Sequence, residues 1–273
     1  MATENLKPKG LLSAGGILDR IVEKRLERLN QAKHLAPLDD LIDACSRTNI
    51  NHRSFEEAIS RQDRTNIIAE VKRQSPSKGL IRADFNHLVI AEQYVSAGAA
   101  AMSVLTEEDF FGGQLSFLRE IHEQTEVPLL RKDFIIDEYQ IYEARLAGAS
   151  AILLITAVLD DELLKALINR AEALGLDALV EVHTEDEMCR AVTAKAKIIG
   201  VNNRDLTTFT VDLATSIRLS QLAPPTTFLV SESGITTRDE INQLKAVGYK
   251  AFLIGEHLMR QNEIKTALRV LVE

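Results

Sequence analysis

Cysteine is scarce in this chain of 273 residues. The two present, Cys45 and Cys189, form neither a metal-ligand spacing nor a disulfide framework, so a reduced compartment fits. The six histidines (His34, His52, His87, His122, His183 and His257) also lack metal spacing, and no metal site is expected. No apolar run approaches 18 residues, so no membrane span is expected. The opening MATENLKPKGLLSAGG lacks the apolar core of a signal peptide. Positive charge is in deficit: the net charge is −8 and the pI about 5.4, which disfavours nucleic-acid partners and makes any anion site a local one. These absences lead us to expect a cytoplasmic protein that binds neither nucleic acid nor membrane. A hydrophobic content of 45% is enough for a sizeable core. The length allows one large domain or two small ones, and α/β barrels often run to this length as one.

Residues 1–16 are polar and glycine-containing and are expected to be loose. Residues 17–34 carry apolar positions at helical spacing, namely Ile17, Leu18, Ile21, Val22, Leu26 and Leu29. A partly helical region continues to residue 64, with Phe55 and Ile59 as expected core contacts. From residue 66 short apolar runs recur: 66–72, 100–106, 127–133, 151–157, 177–182, 198–204, 227–233 and 251–256. They show little alternation, which suits strands buried on both faces of a parallel sheet. Amphipathic stretches separate them. Asp137 with Gln140, and Thr184 with Glu187, look like capping boxes; Gly98, Gly148, Gly175 and Gly248 look like helix stops. Eight such units predict an α/β fold, a (βα)8 TIM barrel with an N-terminal helical extension. No Gly-x-Gly-x-x-Gly follows the first run, which weighs against a doubly wound sheet. Residues 17–273 read as one barrel domain, with 17–64 as an extension covering one end.

In such a barrel the C-terminal strand ends build the site, and here they are unusually polar. The first carries Glu70 and Lys72, followed by the turn Ser75-Pro76-Ser77-Lys78-Gly79. The third carries Lys132 and the fifth Glu181. The sixth carries Asn202 and Arg204, the seventh Glu232, Ser233 and Gly234. Period-2 alternation puts Glu70 with Lys72, and Asn202 with Arg204, on common faces. Ion-pair networks alone could account for any one of these residues. Three cations and three carboxylates at one mouth point instead to an active site, because buried charge is costly unless paired. Ser75, Ser77 and Gly79 after the first strand, Gly234 after the seventh and Gly255 at the end of the eighth suit a phosphate group. Glu256, a carboxylate beside that anion, would help through its backbone N–H. Phe110 and Phe111 could wall an aromatic ligand. The run Glu107-Glu108-Asp109 reads as a solvated loop in preference to a metal site. His183 is the one histidine to follow, because it lies just past Glu181.

The segments EVKRQSPSKG (70–79), LLRKDF (129–134), LVEVH (179–183), GVNNRDL (200–206), SESGI (231–235) and FLIGE (252–256) together resemble the indole-3-glycerol-phosphate synthases of tryptophan biosynthesis. ILDRIVEKR (17–25) resembles that family's extra N-terminal helix. The likeness runs in order from about residue 17 to the end. It implies a phosphorylated small-molecule substrate, 1-(2-carboxyphenylamino)-1-deoxyribulose 5-phosphate, whose ring closure releases carbon dioxide and water without metal or organic cofactor. It also implies roles. Lys132 would protonate the ketone oxygen, helped if a neighbouring cation or desolvation lowers its pKa. Lys72 would bind the carboxylate and could assist a later proton transfer, spacing alone leaving open which lysine acts in which step. Glu181 would stabilise the cationic ring intermediate or take a proton during dehydration. Glu70 would orient the lysines and Asn202 would hold a hydroxyl, while Arg204 and Glu232 complete the polar network. Ser75, Gly234, Gly255 and Glu256 would bind phosphate. Leu206, Ser233 and Phe111 would also contact the substrate. The rival readings are another phosphate-binding barrel, such as a phosphoribosyl-compound isomerase, and a non-catalytic phospholigand-binding barrel. No segment reads as a dedicated interaction element, so a monomer is expected and an oligomer left open.

Overall fold

The computed structural model describes residues 8–48 and 53–273. Eight parallel strands close into a barrel: β1 (Asn66–Val71), β2 (Ala101–Leu105), β3 (Leu129–Lys132), β4 (Ala151–Ile155), β5 (Asp177–Val182), β6 (Ile198–Asn202), β7 (Phe228–Glu232) and β8 (Tyr249–Ile254). β8 pairs back onto β1. Each strand lies within one of the eight apolar runs except at the start of β8, where Tyr249 and Lys250 precede the run. Their side chains are buried almost throughout, since one face fills the barrel and the other meets the helices. Laterally paired residues of parallel strands point the same way. Glu70 pairs with Ser103, Leu105 with Lys132, Ile155 with Glu181, Glu181 with Gly200 and Asn202 with Glu232. The register therefore turns Glu70, Lys132, Glu181, Asn202 and Glu232 into one interior.

Helices fill the gaps between strands, and their starts follow local side-chain chemistry. Asp137 and Thr184 accept the expected N-cap bonds, from Tyr139 N (2.9 Å) and Glu187 N (3.2 Å). Their intended partners do other work: Gln140 Oε1 accepts from Ile136 N, and Glu187 Oε2 from His183 N. The full reciprocal box forms at Thr237 and Glu240. Among the described residues no helix is long and apolar enough to cross a membrane.

The N-terminal extension folds as α1 (Gly16–Leu35), α2 (Leu38–Arg47) and α3 (Phe55–Ile59). It serves both ends of the barrel, where one was expected. At the base, Phe55 and Ile59 are fully buried and Glu56 N donates to Asp177 at the start of β5. At the mouth, α1 supplies Ile17, Leu18 and Ile21 to the cavity wall. Of the stretch expected to be loose, residues 1–7 lie outside the described residues. The rest is partly tied down: Leu12 N donates to Val158 O (3.0 Å) and Asp160 N to Gly10 O (2.7 Å).

The acidic run after β2 is solvated only in part: Asp109 is exposed and Glu108 half-buried, but Glu107 is buried. Glu107 is 1% exposed and accepts backbone N–H groups from Asp109, Phe110 and Phe111. Arg25 of α1, itself buried, puts Nη2 3.0 Å from Glu108 and 2.9 Å from Asp133. Arg28 forks onto Asp109. The arginines of α1 thus take the place a cation would need. Burial opposes the charge on Asp133, but Arg25 and Arg131 outweigh it and hold the carboxyl below its ordinary value. Removing one member of such a set leaves charge uncompensated. Arg25→Met is expected to lower the unfolding free energy by about 3–5 kcal/mol, measured by urea denaturation. A loss within experimental error would mean that Arg25 does not anchor α1.

Candidate active site

One cavity of about 360 Å³ opens at the C-terminal strand ends. Most residues singled out from sequence line it: Glu70, Lys72, Ser75, Ser77, Phe111, Lys132, Glu181, Asn202, Arg204, Leu206, Glu232, Ser233, Gly234, Gly255 and Glu256 do, whereas Gly79, Phe110 and His183 do not. The three cations and three carboxylates do share this mouth.

Lys132 sits at its centre. Its Nζ lies 2.7 Å from Glu181 Oε2 and 3.2 Å from Glu232 Oε2. Lys72 pairs with Glu70 two residues back on the same strand face. Burial disfavours the charge on Lys132, yet Glu181, Glu232 and Glu70 together outweigh burial and raise its pKa. The condition for a lowered value is not met: carboxylates, not another cation, are the near neighbours. The two glutamates divide unequally. Burial pushes both upward, but Lys132 and His183 hold Glu181 well below the carboxylate range. Glu232 has Lys132 alone against burial and the repulsion of Glu181 and Glu70, and rises to about 7. Its second oxygen, Oε1, is buried without a hydrogen-bond partner among the described residues.

Two glycines give these carboxylates room. A Cβ on Gly200 would stand 2.1 Å from Glu232 Oε1, and one on Gly255 2.0 Å from Glu70 Oε2. Both contacts are far inside van der Waals range, so any side chain there would displace a carboxylate. Sequence reasoning gave Gly255 a phosphate role only and did not single out Gly200. The signal was present, since the parity that turns Asn202 inward turns Gly200 inward too.

Across the mouth, Gln74–Ser75 and Gly79–Leu80 form a short hairpin, with Ser75 Oγ 3.4 Å from Ser77 Oγ. Ser233 and Gly234 turn sharply after β7, with φ of 66° and 82°. Asn203, which sequence reasoning missed, fixes that turn. Its Nδ2 donates to Ser231 Oγ and to the carbonyls of Glu232 and Ser233. Glu256 does not leave its carboxylate idle: it binds Arg204 (3.1 Å) and Arg260 (3.0 Å). Burial raises it, but the two arginines and Lys78 outweigh burial and hold it low. Its charge is thereby neutralised beside the serine hairpin. Arg204 N also donates to Asn202 Oδ1.

The remaining wall is apolar. Leu18, Phe134, Leu153, Ile155 and Phe209 join Phe111 and Leu206, with the Phe111 and Phe134 rings 6.3 Å apart. Phe110 instead stacks under Arg20, 5.9 Å away, outside the cavity. The pocket can therefore hold a flat apolar group against α1 and the loop after β2, a polar centre at Lys132, and an anion between the hairpin and the ends of β7 and β8.

Comparison with known proteins identifies the family. A family model described as indole-3-glycerol phosphate synthase matches residues 18–271. The chain is 48% identical over 256 residues to the indole-3-glycerol phosphate synthase of Endomicrobium trichonymphae, covering 93% of this chain and 99% of that one. It is 45% identical over 257 residues to the enzyme of that name from Lacticaseibacillus casei, covering 94% and 99%. Among solved structures, a 3-hexulose-6-phosphate synthase superposes with a TM-score of 0.62 at 15% identity, covering 76% of this chain and 98% of that one. That likeness speaks for the barrel alone. With the family model spanning all eight strands and the N-terminal helices, this chain belongs to the indole-3-glycerol phosphate synthase family.

Proposed function

We propose that the protein closes the indole ring of 1-(2-carboxyphenylamino)-1-deoxyribulose 5-phosphate, giving indole-3-glycerol phosphate, carbon dioxide and water. The observation that carries this reading is the ion pair between Lys132 and Glu181 at 2.7 Å. It stands between an aromatic-lined wall and a serine–glycine rim in one cavity.

The roles follow from charge and place. The phosphate sits among Ser75, Gly234, Gly255 and the backbone of Glu256. The anthranilate ring lies on the apolar wall, with its carboxylate at Lys72. The ring carbon attacks the ketone carbon while Lys132, an ammonium at neutral pH, gives its proton to the ketone oxygen. The new carbon–carbon bond leaves positive charge on the ring system, which ionised Glu181 stabilises. Loss of carbon dioxide returns the bonding electrons to the ring. The hydroxyl then departs as water with a proton supplied by Lys72, while Glu181 takes the proton lost from the adjacent ring carbon as the double bond forms. Glu70 orients the lysines, Asn202 holds a ribulose hydroxyl, and Arg204 and Glu232 complete the network. Incubation with the substrate, followed by the rise of indole absorbance, tests the whole reading; absence of product would overturn it.

Lys132→Ala is expected to cut turnover by about two to four powers of ten with a smaller effect on substrate binding. Near-normal turnover would remove Lys132 from the chemistry. Ser75→Ala should act mainly on KM, and a fall in kcat alone would move the phosphate elsewhere. Glu232 also makes stability pH-dependent. Its carboxyl rises from 4.5 to about 7 on folding, so the folded protein keeps a proton that the unfolded chain loses. The contribution is full below about pH 4.5 and is lost as pH rises through 7. Glu232→Gln should therefore flatten the decline in unfolding free energy between pH 5 and 8; an unchanged slope would contradict the assignment.

A further inference from the structure

Behind Glu181 stands a charged group to which the reaction above gives no part. The His183 side chain is 11% exposed and does not line the cavity. Its Nε2 lies 3.3 Å from Glu181 Oε1, at ion-pair distance but out of line for a hydrogen bond, so the contact is one of charge. Its Nδ1 lies 3.1 Å from Glu187 Oε2, and its backbone N donates to the same oxygen at 2.8 Å. Glu187 is itself fixed, since its N donates to Thr184 Oγ1 at the first turn of the helix Glu185–Thr193. From the loop after β6, Asp205 is held low chiefly by the backbone N–H groups of Thr208 and Thr207, with His183 a smaller contribution. Burial opposes a charge on the imidazole, but Glu181 and Glu187 outweigh burial and lift it to about 10. The ring is therefore a cation at neutral pH. Glu181 in turn has a separate cation for each oxygen, His183 for Oε1 and Lys132 for Oε2.

We propose that His183 is a positioning residue for the reaction: its imidazolium binds one oxygen of Glu181, so that the other is aimed at Lys132 and stays negative. The contrasting role is purely structural, a pairing with Glu187 that only steadies the start of a helix. The proposal rests on the synthase reading, but part of its test does not.

The test uses His183→Gln, which keeps a side-chain donor and removes the charge. Glutamate carboxyls labelled with carbon-13 are titrated by NMR, with Glu181 assigned from the spectrum of Glu181→Gln. Without the cation, the Glu181 carboxyl should titrate about one to three pH units higher. In the substrate assay kcat should fall about tenfold to a hundredfold, the scale of a misplaced group, with KM within about twofold. If His183→Gln does not fold, Glu187→Gln carries the same test, because it removes the group that holds the ring in place. It should move Glu181 in the same direction by a smaller amount. An unmoved Glu181 titration overturns the proposal whatever the rate does. A moved titration with unchanged kcat overturns its place in the reaction. A lower melting temperature alone would mark the structural role. Should the wild type yield no indole, the synthase reading fails, and the titration still decides whether His183 governs Glu181.

Discussion

A lysine ammonium held between two buried carboxylates is the interaction on which the rest of this mouth depends. Lys132, Glu181 and Glu232 arrive from three different strands, and none could be buried ionised alone without a cost of several kcal/mol. Their meeting is steric as well as electrostatic. An inward layer of a barrel has room for only so many large side chains. Glu232 occupies space that Gly200 leaves open, and Glu70 does the same over Gly255. Two positions without side chains are thus as much a part of the charge arrangement as the charged residues. The uneven result, with Glu181 pulled low and Glu232 pushed to about 7, follows from who has a second cation. Glu181 has His183; Glu232 does not.

The N-terminal extension turns this polar centre into a directional pocket. α1 contributes Ile17, Leu18 and Ile21 to the wall, and Arg25 ties the helix to Asp133, the residue after Lys132. Asp133 is further held by Thr106 and Arg131. The strand end that carries the central lysine is therefore braced from outside the barrel by the helix that forms the apolar wall inside it. A ligand with one flat apolar end and one anionic end has a single way to lie across such a pocket.

Much of the fold was legible because a buried parallel sheet writes itself as repeated apolar runs, and because period 2 decides which residues turn inward. Glu70 with Lys72 and Asn202 with Arg204 needed nothing more. Contacts between distant segments were not legible. The acidic run at Glu107 looked like solvated loop because its arginine partners lie about 80 residues earlier in the chain. Asn203 looked idle beside Asn202, since its bonds run to the end of β7. The raised pKa of Lys132 was illegible for the same reason. Spacing shows that cations and carboxylates share a mouth but not which of them touch.

That sign bears on how the lysine can act as an acid. An ammonium stabilised by three carboxylates does not surrender its proton to a weakly basic ketone oxygen in the ground state. As the ring carbon attacks, negative charge grows on that oxygen and its basicity rises by many orders of magnitude. Only then does proton transfer from Lys132 become favourable, so the interaction is strongest where the barrier is highest. The neighbouring carboxylates that oppose early release also hold the donor in one orientation with its proton in place. Raised basicity at Lys132 is in this sense compatible with acid catalysis and confines it to the transition state, provided the oxygen lies within hydrogen-bond reach of Nζ.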